Sequence, residues 1–398
     1  MILLFVGAFL VLSSGTTRHW DELIYLYSVD LLTVPELIQL EQDLSRWLLP
    51  SGFFSGKVGF LAMLDGAVAA LGPGRRSLTY LNLACAALTL TWGASAFLLY
   101  RSLLDARTAF RSSVVLLLLP VTLYLGQRVL AEMPSLLPAT LSCWCFVRSV
   151  GSGRPTRARS LWLIGAGALL GMAMLIRISA VWLLASLLPA LWVLSRDRFA
   201  LRRLALRGGA VLMGGTLACV SLYLALGTDP VRLTGMVKSV AAHDQGIELT
   251  VYAFGMTLQL FALPVCIGAL KYSERDVLFA LTWVATASTP YVLGSSYLEP
   301  RYFFCALLPV ALLATKGTGW LVDRVVGATR TTLLWVPLTL AIALGNSVFQ
   351  PLMPYEIDAA RYLDLVDEVE DRVGSATIVT SWHSDFAFFE FMRPDASH

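Results

Sequence analysis

The octapeptide Arg18-His19-Trp20-Asp21-Glu22-Leu23-Ile24-Tyr25 follows directly on an apolar run from Ile2 to Leu12. A carboxylate at mid-bilayer costs roughly 2.5–3.5 kcal/mol, and part of that penalty persists near the interface. The Asp-Glu pair therefore either marks the end of the apolar segment or acts as a general base and its neighbour. A second acidic group, Glu132, lies in Gln127-Arg128-Val129-Leu130-Ala131-Glu132-Met133-Pro134. Arg128 and Glu132 form either a surface ion pair, worth about 0–1 kcal/mol, or a site wall that Arg128 orients. Three cations stand at comparable positions. Arg177 interrupts a long apolar stretch, where it either marks a turn by snorkelling or binds an anion. Arg301, in Glu299-Pro300-Arg301-Tyr302, opens another apolar run, and Lys57 opens a third. Arginine is well suited to gripping phosphate. Carboxylates that can take a proton, beside cations that can hold a phosphate, suit transfer from a phosphate-linked lipid donor. His243, Asp244 and His383 read as solvated loop residues.

These residues must be held by elements that live in lipid. The chain has 398 residues, 57% hydrophobic and 14% charged. Soluble domains carry about 25% charged residues, so the composition is that of an all-α polytopic membrane protein. Apolar runs predict spans near 1–14, 77–100, 112–127, 133–150, 161–176, 178–195, 208–227, 251–270, 277–294, 302–316 and 332–348. Basic loops lie at Arg101/Arg107/Arg111, Arg148–Arg159, Arg196–Arg207, Lys271/Arg275 and Lys316–Arg330. Placing all five in the cytoplasm satisfies the positive-inside rule with strict alternation. About 11 transmembrane helices result, with the N-terminus inside and the C-terminus outside. The Asp21, Glu132, Arg177 and Arg301 segments then share the non-cytoplasmic face of the plasma (cytoplasmic) membrane. The net charge of +3 is dispersed among these loops and implies no nucleic-acid partner.

By this parity the stretch from Lys57 to Leu71 does not cross and reads as a helix lying in the interface. Glu36 to Trp47 is a second amphipathic piece, with Leu37, Leu40, Leu44 and Trp47 on one face. The division is a membrane domain, 1–350, whose external loop 15–76 carries interfacial helices, and a small α/β external segment, 351–398. In the latter, Glu356 to Val373 reads as a helix and Ala376 to Thr380 as a strand. The unit is too small for its own core and must dock on the membrane domain. Six cysteines all lie in apolar runs and read as free thiols. Gly167-x-x-x-Gly171 is a helix-packing signal. Met1 to Leu12 lacks a basic n-region and a cleavage site and so does not read as a signal peptide; it is also short for a span, which points to a start upstream of Met1.

The layout resembles the GT-C glycosyltransferases, in particular the branch of protein O-mannosyltransferases and lipid A aminoarabinose transferases. The matching pieces are Asp21-Glu22 with Tyr25, the long first loop, Glu132, and Pro300-Arg301-Tyr302-Phe-Phe-Cys-Ala-Leu-Leu-Pro309. The resemblance implies an inverting transfer of a sugar from a polyprenyl-phosphate donor to a hydroxyl of a lipid, glycan or protein acceptor. Membrane lipids would surround the donor's tail. Asp21 would be the base, with Glu22 and Glu132 as further site carboxylates. Lys57, Arg301 and Arg177 would face the donor phosphate, with Tyr25, Arg128 and Tyr302 supporting. The chain departs from relatives at Ser55-Gly56-Lys57-Val58, where a His/Lys-Pro-Pro-Leu stretch is common. No cofactor is certain: a divalent cation is compatible with the reaction, but no DxD motif demands one. The alternatives are a lipid-linked sugar flippase or transporter, which needs charges at mid-bilayer, and an envelope polysaccharide polymerase or ligase.

Overall fold

The computed structural model describes residues 2–13, 17–44, 54–72, 75–151, 156–194, 198–225, 255, 257–271, 273–294, 300–326, 331–348 and 356–358. Helix α1 (Ile2–Ser13) leads to a short strand β1 (Thr17–His19), then to α2 (Trp20–Leu31) and α3 (Val34–Leu44). A 3-10 turn, Ser55–Lys57, starts α4 (Val58–Leu71). The bundle continues with α5 (Arg75–Leu103), α6 (Ala106–Leu118), α7 (Pro120–Leu125), α8 (Glu132–Val150), α9 (Thr156–Ile176), α10 (Val181–Leu194) and α11 (Arg198–Ala225). It closes with α12 (Ala262–Ala269), α13 (Arg275–Gly294), α14 (Leu307–Val326) and α15 (Thr331–Val348), before strand β2 (Glu356–Asp358).

Among the described residues, helix occupies each apolar run read from the sequence. Four helical segments among the described residues have the length and hydropathy to cross a membrane: Ser77–Leu103, Arg157–Ile176, Leu201–Ala225 and Phe303–Val325. The others are shorter, broken or less apolar. The run at 112–127 is split, because Leu119 is extended (φ −61°, ψ 141°) before Pro120; proline drives its predecessor out of the helical region. Arg177 is likewise extended (φ −152°, ψ 114°) and separates α9 from a 3-10 turn, Ile178–Ala180, that leads into α10.

The first loop holds two surprises. Residues 20–31, read as the start of a loop, form helix α2, with Asp21 and Glu22 in its first turn, where the helix dipole favours negative charge. In α3 the buried face is Val34, Leu37, Ile38 and Glu41, rather than one continuing through Leu40, which is only half buried. The expected helix from Glu356 is also corrected at its start. Glu356–Asp358 is extended and pairs antiparallel with β1, Ile357 opposite Arg18. The backbone groups of β1, which would otherwise lack partners ahead of α2, gain them this way. The remainder of 351–398 lies outside the described residues, as does His243-Asp244.

Small residues and hydroxyls join the helices, as lipid-embedded interfaces require. A side chain at Gly171 would meet Ala218 at 2.8 Å, and one at Gly215 would meet Leu170, so Gly167-x-x-x-Gly171 is the α9 surface against α11. Gly268 and Gly317 bring the α12 and α14 backbones together, each without room for a Cβ against the other helix's carbonyls. Trp92 donates to Thr140 Oγ1 (2.9 Å) between α5 and α8, and Tyr100 to the Leu308 carbonyl (2.6 Å) between α5 and α14. The cysteines are free thiols, buried except for Cys266.

The basic loops gather at one end of the bundle. Arg207 donates to the Ser149 carbonyl (3.0 Å) and Arg275 to that of Val193 (3.3 Å). Lys316 bridges Asp276 and Glu274. Asp21, Lys57, Glu132 and Arg177 lie at the opposite end.

Candidate active site

Helix α2 buries the stripe Asp21, Glu22, Tyr25, Leu26 and Val29 against α4. The acidic pair therefore faces inward: Asp21 is 2% exposed and Glu22 fully buried. One turn along, Tyr25 donates to Asp21 Oδ2 at 3.4 Å. The Lys57 ammonium donates in turn to the Tyr25 hydroxyl and lies 4.7 Å from the centroid of its ring. Phe54 and Phe60 pack edge-on against the same ring, at 6.4 and 5.7 Å, and hold it upright. Carboxylate, phenol and ammonium thus form one chain of contacts.

Glu22 has a different task. Its Oε1 accepts the Val129 N–H at 2.9 Å, which pins the 126–131 loop to α2. Glu132 stands three residues on, at the first turn of α8, and forms a 2.6 Å ion pair with Arg177. Arg177 also donates to Ser179 Oγ (3.1 Å) and lies 5.1 Å from the Phe304 ring centroid. Buried and paired, it does not snorkel to the interface. Arg128 donates to the Tyr124 carbonyl and lies 3.9 Å over that ring. Glu132 is thus paired with Arg177 in this structure, and Arg128 orders the loop between α7 and α8. Residues 300–306 form a 3-10 turn that brings Phe304 to Arg177; the side chains of Arg301 and Tyr302 lie outside the described residues.

Two residues absent from the sequence reading complete the frame. Glu41 on α3 is buried and accepts from Phe54 N (2.8 Å), Ser55 N (2.7 Å) and Ser55 Oγ (3.1 Å). Tyr223 on α11 donates to the Ser55 carbonyl from the other side. Glu41 was legible as the one acidic residue on the 34/37/38/41 stripe of α3. Tyr223 gave no signal, since an aromatic residue in an apolar run is ordinary. Among the described residues no three His, Cys, Asp or Glu side chains gather to hold a metal ion.

This geometry sits on a known framework. The ArnT structures from Cupriavidus metallidurans, one apo and one bound to undecaprenyl phosphate, superpose on 97% of this chain with TM-score 0.55 and 16% identity. The chain has the fold of the ArnT structures. It covers 67% of ArnT, and about half (49%) of the Archaeoglobus fulgidus oligosaccharyltransferase, which matches 80% of it at 12% identity and TM-score 0.48. The family model described as dolichyl-phosphate-mannose-protein mannosyltransferase matches residues 60–224. The match runs from α4 to α11 and includes Arg128, Glu132 and Arg177, while Asp21, Tyr25, Lys57 and Arg301 lie beyond it. No curated protein sequence matches the chain.

Proposed function

We propose that the protein transfers a sugar from a polyprenyl-phosphate donor to an acceptor hydroxyl on the non-cytoplasmic face, with inversion at the anomeric carbon. Eleven spans, with the N-terminus inside, put the site on that face. The observation that carries the reading is the chain from buried Asp21 and Tyr25 to half-buried Lys57, which sets a base and a cation at one point of a GT-C-like framework. A carboxylate held out of bulk water is a competent proton acceptor. The ammonium stabilises charge that develops on a departing phosphate.

Asp21 takes the proton of the acceptor hydroxyl as its oxygen bonds to the anomeric carbon. The bond from that carbon to the phosphate oxygen breaks on the opposite face, and its electron pair leaves with the polyprenyl phosphate. Lys57 and Arg301 meet the phosphate. Glu132, held by Arg177, walls the acceptor side, and Glu22 keeps that wall attached to α2. The binding of undecaprenyl phosphate by the ArnT structure supports a donor of this class. A single displacement forms no covalent sugar-enzyme bond, so the product's configuration is opposite to the donor's.

The test supplies membranes with labelled polyprenyl-phosphate sugars and compares wild type with Asp21→Asn. Loss of a general base lowers turnover by about 10²–10⁴-fold. Equal turnover at equal expression removes Asp21 from the mechanism, and a product with retained configuration excludes the single displacement.

A further inference from the structure

Lys57 occupies a turn with no local cap. Neither Phe54, ahead of the 3-10 turn, nor Lys57, ahead of α4, supplies a capping side-chain hydrogen bond. The N–H groups at the head of this turn go instead to Glu41, thirteen and fourteen residues earlier. A carboxylate accepting two backbone N–H groups and a hydroxyl makes strong, charge-assisted bonds. The turn is closed by Lys57 N donating to Phe54 O (2.9 Å), and Tyr223 fixes its Ser55 carbonyl from α11. Three elements, α3, α4 and α11, therefore fix the backbone from which the Lys57 side chain reaches Tyr25.

We propose that Glu41 is a positioning residue: it latches the Phe54–Lys57 turn, and so sets the Lys57 ammonium for the phosphate of the lipid donor. The inference rests on the proposed role of Lys57 and adds what holds that lysine in place. A long, flexible side chain gains directional value only when its backbone origin is fixed. Glu41 does this from outside the site, without touching substrate.

The experiment measures undecaprenyl phosphate binding to the full chain in lipid nanodiscs, alongside donor KM and kcat. Glu41→Ala should weaken binding and raise donor KM about tenfold, the scale of one lost charge-assisted hydrogen bond, with kcat within about twofold. Glu41→Gln, which keeps an accepting oxygen, should restore most of the affinity. In a Lys57→Ala background, Glu41→Ala should add nothing, because a latch acts only through what it holds. Should Glu41→Ala fail to fold, Tyr223→Phe loosens the same turn and should weaken binding about threefold, again only when Lys57 is present. If Glu41→Ala or Tyr223→Phe weakens binding equally in the Lys57→Ala background, the latch is refuted. So it is if Lys57→Ala loses affinity while both loosened variants bind as wild type. Wild-type binding by Lys57→Ala itself overturns the functional reading and the latch together.

Discussion

Glu132 and Arg177 form an ion pair with side chains 1% and 10% exposed. Two charges taken so far out of water depend on each other, and removal of one partner costs about 3–5 kcal/mol. Arg177→Met alone should therefore lower the thermal midpoint in detergent sharply. The double variant Arg177→Met/Glu132→Leu should recover most of that loss, since it removes both members of the pair. Tyr25→Phe makes the opposite kind of change. It removes only the hydroxyl between Asp21 and Lys57 and keeps the ring packed against Phe54 and Phe60. Stability should fall by about 1–3 kcal/mol, because two charged groups each lose a hydrogen bond, while donor KM rises because the lysine loses its tether. If Tyr25→Phe left donor KM unchanged, the phenol would have no part in aligning the cation.

Helix α6 begins at a true cap: Asp105 accepts the N–H groups of Arg107 (2.9 Å) and Thr108 (3.0 Å). Hydrogen bonding from the Thr108 side chain and backbone holds its carboxyl below the usual carboxylate range. A depressed folded value means the cap's ionic contribution is present above the unfolded value, about 3.9, and is lost as pH falls through the folded one. Asp105→Ala should cost about 1 kcal/mol near neutral pH. Asp105→Asn, which caps without titrating, should lose its disadvantage to wild type between about pH 5 and about pH 3 in thermal melts. At the α12–α14 crossing, Gly317→Ala should be poorly tolerated, because its Cβ would enter the Pro264 carbonyl; overpacking costs about 1–3 kcal/mol or more. Elements of this kind were legible in part. Apolar runs, the interruption at Arg177 and the glycine pair of α9 stand out, because lipid demands continuous apolar helix and close packing demands small residues. Helix α2 did not stand out, since Trp20–Leu31 mixes charge with apolar residues and its inward stripe includes Asp21 and Glu22 themselves. The pairing of Arg177 with Glu132 was illegible too. The two residues lie 45 positions apart, and only the fold brings the α9–α10 break beside the start of α8.

At the scale of the whole molecule, the two ends of the bundle differ in charge chemistry, and that difference yields a test of sidedness. One end carries the Lys316–Asp276–Glu274 cluster and the arginines of the short loops. The other carries the buried carboxylates and the α2–α3–α4 platform. Basic short loops stay in the cytoplasm because lysine and arginine resist translocation, so the platform should face away from it. Strand β2 adds a constraint, because its pairing with β1 requires the chain after α15 to return to the end where α2 starts. That is met when α1 and α15 finish on the same side, as the proposed parity of eleven spans would have it. Asp30→Cys, exposed near the end of α2, and Arg107→Cys, exposed at the start of α6, report the two ends. In a background without the native cysteines, a membrane-impermeant maleimide should label Asp30→Cys on intact cells, and Arg107→Cys only after permeabilisation. The reverse pattern would put the carboxylates on the cytoplasmic face, where the acceptor and the lipid donor would both have to be sought on the other leaflet.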